Sequence, residues 1–205
     1  MTLSEQRREE LEAKLGYGFG NAELLERALT HRSYVKEKTG SGRGASNELL
    51  EYLGDSVLGL AVSEHLIQGH PLAAEGELSK RRSQLVSEAH LHRVALRLDL
   101  GPYLLLGRAE ERAGGREKKA LLADAVEALI AAVYLDGGLE KARQAVSRWV
   151  LEYVDGDELL VTDYKTALQE LLQERRMAAP RYEVVKESGP EHRKVFTVRA
   201  MIEGR

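Results

Sequence analysis

Between Asn47 and Ser56 the sequence N-E-L-L-E-Y-L-G-D-S places three acids where a helix would gather them. At about 100° per residue, Glu48, Glu51 and Asp55 fall within an arc of roughly 60°. A solvated helix face accounts for most acidic stripes, but such faces usually carry Lys or Arg one turn further on. Here Tyr52, Asp55 and Gly59 stand at those places, and no Lys or Arg occurs between Arg43 and Lys80. A second case lies in L-L-A-D-A-V-E-A-L-I, where Asp124 and Glu127 interrupt a run of Ala, Leu, Val and Ile with no cation between Lys119 and Lys141. A carboxylate in such surroundings must be protonated or hold a cation. If the two helices pack together, Glu51, Asp55, Asp124 and Glu127 converge on an all-oxygen site suited to a hard cation, Mg²⁺ or Mn²⁺. A cation held there with open positions can activate a water, neutralise charge on a phosphoryl group and stabilise a leaving oxygen.

Other motifs are weaker. His90-Leu91-His92 beside Glu88 suggests zinc, but imidazoles two apart point to different helix faces, so a solvated or partly packed pair is the better reading. Gly40-Ser41-Gly42-Arg43-Gly44 lacks the lysine and hydroxyl of a phosphate-binding loop and reads as flexible. No Ser/His/Asp constellation stands out, and no organic cofactor is expected.

The elements that must carry the acids are helical. From residue 1 to about 154 apolar residues recur at three- and four-residue spacing. Asn21 can cap a helix bearing Leu24, Leu25, Ala28 and Leu29, and Ser46 or Asn47 can start one running to about Gln68, before Gly69-His70-Pro71. Further helices are expected over about 75–98, 117–135 and 138–154, the last two separated by Asp136-Gly137-Gly138. Residues 39–44 and 107–116 read as loops, the second with Arg108, Arg112 and Arg116 among glycines. The texture changes near Asp155-Gly156-Asp157, which predicts a linker over 155–162. One helix over about 163–176 and two alternating runs, Arg181 to Lys186 and Val195 to Ile202, then give an α-β-β unit around the turn Ser188-Gly189-Pro190. That unit reads as the incomplete start of a fold.

Composition bounds the rest. The 205 residues, 43% hydrophobic and 31% charged, are enough for one ordinary domain and a smaller one, and exclude global disorder. The absence of cysteine excludes disulfides, thiolate metal sites and Cys nucleophiles. No stretch approaches the roughly 18 apolar residues of a membrane helix, and a cytoplasmic protein without membrane partners is expected. The formal charge of −3 argues mildly against a nucleic-acid partner held by bulk basicity.

The segment Asn47 to Ser56 resembles the bacterial ribonuclease III signature N-E-R-L-E-F-L-G-D-S, with Leu for Arg and Tyr for Phe. Ala28 to Ser33 (A-L-T-H-R-S), Glu75 to Ser79 (E-G-E-L-S), Leu122 to Ile130 and Lys165 to Glu170 (K-T-A-L-Q-E) extend the resemblance in order over nearly the whole chain. It implies a mainly α fold: an all-helical endonuclease domain over 1–154, then a truncated double-stranded-RNA-binding domain over 163–205. It also implies Mg²⁺-dependent cleavage of duplex RNA in precursor processing, leaving 5′-phosphate and 3′-hydroxyl ends, by a homodimer with one site per strand. By the same resemblance Glu51, Asp55, Asp124 and Glu127 face metal. Asp55 and Glu127 are closest to the chemistry, and Glu48 and Glu75 are further catalytic acids. Tyr52 is the aromatic that enters the partner subunit. Thr166, Gln169, Glu170 and Gln173, with Pro190 and His192, match residues that reach RNA minor grooves. A catalytically silent RNA-binding protein and a helical phosphohydrolase of small substrates are the alternatives. The charge objection then changes sense. Residues 1–160 carry 21 basic and 26 acidic side chains and residues 161–205 nine and seven, and six of the 26 are the proposed active-site acids.

Overall fold

Caps and glycines cut the chain into short helices that surround one apolar helix. The computed structural model describes residues 3–40, 46–152, 168–169, 171–173, 175–188 and 195–202. Ser4 accepts the amide of Arg7 at the head of α1 (Glu5–Leu15), which ends at Gly16 in the left-handed region at φ 65°. Asn21 caps α2 (Ala22–Ala28) through the amide of Glu23, as the sequence predicts. His31 caps α3 (Arg32–Thr39) through the amide of Ser33. Helix α4 runs Glu48–Gly69 from Asn47, matching the expected start and end within a residue.

Two expectations change. The single helix expected over 75–98 is two, α5 (Glu75–Leu85) and α6 (Glu88–Arg97), because Ser87 leaves the helical region and its side chain accepts the amide of His90. The expected loop over 107–116 contains a five-residue helix, α7 (Arg108–Arg112), and a 3₁₀ turn over Gly115–Glu117. Helix α8 (Lys119–Val146) carries a kink at Gly138, where φ is 80°, so the expected break after Asp136-Gly137 is present as a bend. A π-helical turn, Ser147–Leu151, follows. Its freed carbonyls are claimed from α6: Arg97 Nη2 donates to Trp149 O at 2.6 Å and His90 Nε2 to Val150 O at 2.9 Å.

The first half of α8 is the centre of this unit. Leu122, Ala123, Ala125, Val126 and every residue from Ala128 to Val133 are buried, the pattern of a helix packed on all sides. Helices α4, α6 and α2 pack against it. The chain divides into two compact units, Met1–Val154 and Asp155–Arg205. In the second, Leu168, Gln169, Leu171, Leu172 and Gln173 are helical. β1 (Arg181–Ser188) pairs antiparallel with β2 (Val195–Met201), in register from Arg181 opposite Met201, with an irregularity between Val184 and Lys186. Among the described residues no helix is long and apolar enough to cross a membrane.

Candidate metal centre

The crossing of α4 and α8 positions the acids, and a glycine sets its distance. Gly54 is buried, and a Cβ built on it would overlap the carbonyl oxygen of Glu127. A glycine inside a helix costs about 0.5–1 kcal/mol relative to alanine. Here that cost accompanies backbone contact between two helices, with Glu51 and Asp55 flanking it on α4.

The result is a half-buried trio. Glu51, Asp124 and Glu127 each offer a carboxylate oxygen, and the three atoms lie within 4.8 Å of one another. Burial pushes Glu127 up to about 7, and the charges of Asp55, Asp124 and Glu51 add to the effect. Burial also raises Glu51, helped by Asp124 and Glu48 and opposed by Arg32. Asp124 is raised by burial and then by the charge of Glu88. Crowded carboxylates with no ammonium or guanidinium among them are held apart from their ordinary ionisation by mutual repulsion, and a divalent cation relieves it. The donor set is all oxygen and acidic, which fits a hard divalent ion.

The remaining acids from the sequence lie around the trio. Asp55 is exposed, and its charge acts on Glu127. Glu48 is exposed and accepts the Ser46 hydroxyl at 3.1 Å and Arg32 Nη1 at 3.5 Å. Glu75 heads α5, accepts the Ser79 hydroxyl at 2.7 Å, and is not part of the trio. It lines a groove of about 200 Å³ with Ser63, Leu66, Ile67, Leu78 and Arg82. Tyr52 is 79% exposed. In the second unit Gln169 and Gln173 are exposed one turn apart, whereas Thr166, Glu170, Pro190 and His192 lie outside the described residues.

Three residues escape the sequence reading. Gly54 is one, although a glycine beside a carboxylate motif is a signal for close backbone approach. Glu88 is the second: the sequence groups it only with His90 and His92, yet its charge falls on Asp124. Arg32, whose side chain meets Glu48, is the third. His90 itself is buried, donating from Nε2 to Val150 O and accepting Arg93 Nη2 at Nδ1, 3.1 Å away. Both ring nitrogens are engaged, which leaves no ligand pair for zinc.

The fold and site thus define an all-helical unit with a carboxylate trio suited to a hard divalent ion, followed in the chain by a unit carrying a β-hairpin. The comparisons with known proteins supply the class. The Ribonuclease-III-like family model matches residues 21–154 and the double-stranded RNA binding motif matches residues 164–205. Ribonuclease 3 of Solibacter usitatus is 52% identical over 204 residues, covering 94% of this chain and 75% of that one. Ribonuclease 3 of Syntrophobacter fumaroxidans is 46% identical over 202 residues, covering 96% and 83%. The solved nuclease domain of Campylobacter jejuni ribonuclease III superposes with a TM-score of 0.66 at 42% identity, covering 71% of this chain and 97% of that one. This chain belongs to the ribonuclease III family. It is an endoribonuclease of double-stranded RNA, and membership implies a divalent metal cofactor.

Proposed function

We propose that the chain cleaves duplex RNA with Mg²⁺ held by Glu51, Asp55, Asp124 and Glu127, Mn²⁺ also fitting the donors. The products would be 5′-phosphate and 3′-hydroxyl ends. The observation that carries this reading is the trio itself: three half-buried carboxylates with raised ionisation and no protein cation among them. When bound, the ion activates a water and neutralises charge on the phosphoryl group. Burial pushes Glu127 up to about 7, so near physiological pH its carboxyl releases its proton to water readily and can then take a cation. Asp55 and Glu127 sit closest to cleavage in this reading. Glu48, fixed by Ser46, and Glu75 are outer acids of the catalytic valley.

A homodimer completes the enzyme. On α4 the exposed Leu49, Tyr52, Leu60 and Ile67 fall within about 80° of one another at 100° per residue, an apolar stripe beside the acidic face. A two-fold partner covers that stripe with its own, Tyr52 entering the neighbour, and supplies the second site that two antiparallel strands require. The second unit contributes Thr166, Gln169, Glu170 and Gln173 and the Pro190 to His192 turn as its RNA-reading residues. Residues 1–154 then form the nuclease domain, 155–162 the linker and 163–205 the RNA-binding unit of a cytoplasmic enzyme that processes ribosomal and other precursor RNAs.

The test is incubation of the purified chain with an end-labelled RNA duplex, with Mg²⁺ or with chelator. The expected result is Mg²⁺-dependent double-strand cleavage that leaves single-stranded RNA of the same sequence intact. Duplex binding without Mg²⁺-dependent cleavage would overturn the proposal.

A further inference from the structure

The trio poses a problem for its own substrate. A duplex backbone is a dense polyanion, and the two helices that bear the acids carry no Lys or Arg between Arg43 and Lys80 or between Lys119 and Lys141. A cation from another element must meet the strand at the edge of the cluster. Among the described residues, Arg32 is a cation that reaches the acidic face of α4: its Nη1 lies 3.5 Å from Oε1 of Glu48, about one helical turn before Glu51.

Arg32 is held firmly at its base and loosely at its tip. It opens α3, next to His31, whose amide donates to Leu105 O at 3.0 Å. The amide of Asn47 donates to Thr30 O at 2.8 Å and ties the same backbone to the start of α4. The Ser33 hydroxyl accepts the amide of Gly107 at 2.9 Å. The side chain, by contrast, is 69% exposed, and its guanidinium meets Glu48 through one contact at 3.5 Å, at the outer limit of a hydrogen bond. An exposed ion pair of this kind contributes about 0–1 kcal/mol, so a phosphate can take its place at little cost. A guanidinium also offers a fork of donors that matches two phosphate oxygens.

From this the geometry points to Arg32 as a substrate contact: its guanidinium takes a backbone phosphate of the duplex beside the carboxylate trio, with Glu48 holding it in place until RNA arrives. The proposal rests on the duplex-cleavage reading above and names the residue that brings the strand to that site. It treats the Arg32–Glu48 pair as a resting state of the binding surface.

The test separates phosphate contact from mere support of Glu48. In a Glu127→Gln background, which silences cleavage, the affinity for an RNA duplex is measured across a series of salt concentrations at fixed Mg²⁺. Adding Arg32→Gln should weaken binding and lower the slope of log affinity against log salt by about 1, the value of one lost phosphate contact. Arg32→Lys should restore most of that slope, since it keeps the charge. An unchanged slope with Arg32→Gln would overturn the contact, and a fall in the cleavage rate of the single Arg32→Gln variant would then assign the residue to Glu48 alone. Failure of the Glu127→Gln parent to bind duplex at all would instead overturn the underlying reading, and the Arg32 assignment with it.

Discussion

Helix α8 carries two carboxylate sites that behave in opposite ways. At Asp136, near the Gly138 kink, the side chain accepts the amides of Gly20 at 3.0 Å and Asn21 at 2.8 Å and the Tyr17 hydroxyl at 2.8 Å. Burial works against its charge, but those donors outweigh it and hold its ionisation below the ordinary carboxylate value. Burial of the phenol, with the same pairing, pushes Tyr17 up to about 12. Three turns earlier, burial raises Asp124 and Glu127, and the charges of the acids they face add to it. One helix therefore has a carboxylate whose partners are all supplied by the fold and a pair whose partner is not. Asp136 pins the loop before α2 to α8 and is complete. On the function proposed above, a cation completes the α4–α8 trio, and that would separate a structural acid from a functional one.

The largest expected effect breaks this comparison at its functional end. Glu127→Gln should lower cleavage of duplex RNA by a hundred- to thousandfold or more, about the loss seen when a preorganised electrostatic contact is removed. Duplex affinity should stay close to wild type in a gel-shift assay. Asp136→Asn should leave the cleavage rate within about threefold; a loss as deep as that of Glu127→Gln would erase the distinction between the two sites. Gly54→Ala comes next. Its new methyl meets the Glu127 carbonyl, so the helices must part, at a cost of about 1–3 kcal/mol in denaturant unfolding together with a clear fall in cleavage. Full activity in that variant would show that the crossing distance does not set the trio.

Smaller still is the stability effect at the structural end. Asp136→Ala should cost about 1–2 kcal/mol, because two amides and a phenol lose a charged acceptor. The pH dependence sharpens the contrast with the least effect. Glu127 titrates above its ordinary value in the folded chain, so folding favours its protonated form. That contribution is fully present below the ordinary carboxylate range and is lost as pH rises through about 7. With chelator present, the melting temperature should fall between about pH 5 and about pH 7, and Glu127→Gln should flatten the fall. Asp136 has the opposite sign: its contribution is present above the ordinary range and is lost only in acid.

Much of this site could be read in the sequence because unpaired charge leaves a mark there. Glu51, Asp55, Asp124 and Glu127 stand in helical stretches that lack Lys and Arg for several turns, and helical spacing alone put them on shared faces. The cap at Asn21 was legible from local sequence, and the start of α4 was placed at Asn47 although its side chain makes no capping bond. The break at Ser87 was not, since apolar positions continue from Leu85 to Leu91 at nearly helical spacing and hide a cap that one hydroxyl creates. Helix α7 is five residues long, too short for any periodicity to announce it. Glu88 and Arg32 were overlooked as neighbours of the trio because only the packing of α6 and α3 brings their charges to it. Glu75 is the exception: the resemblance places it at the catalytic valley, yet it heads α5 outside the trio.

The central claim is that the α4–α8 carboxylates seat the divalent ion, and Mn²⁺ binding followed by electron paramagnetic resonance tests it most directly, without any cleavage step. Titration of Mn²⁺ into the full chain should deplete the free-ion signal. The Glu51→Gln/Glu127→Gln double variant should leave that signal close to buffer alone at the same concentrations, while Asp136→Asn should match wild type. Equal Mn²⁺ binding by the double variant and the wild-type chain would place the ion elsewhere and contradict the account.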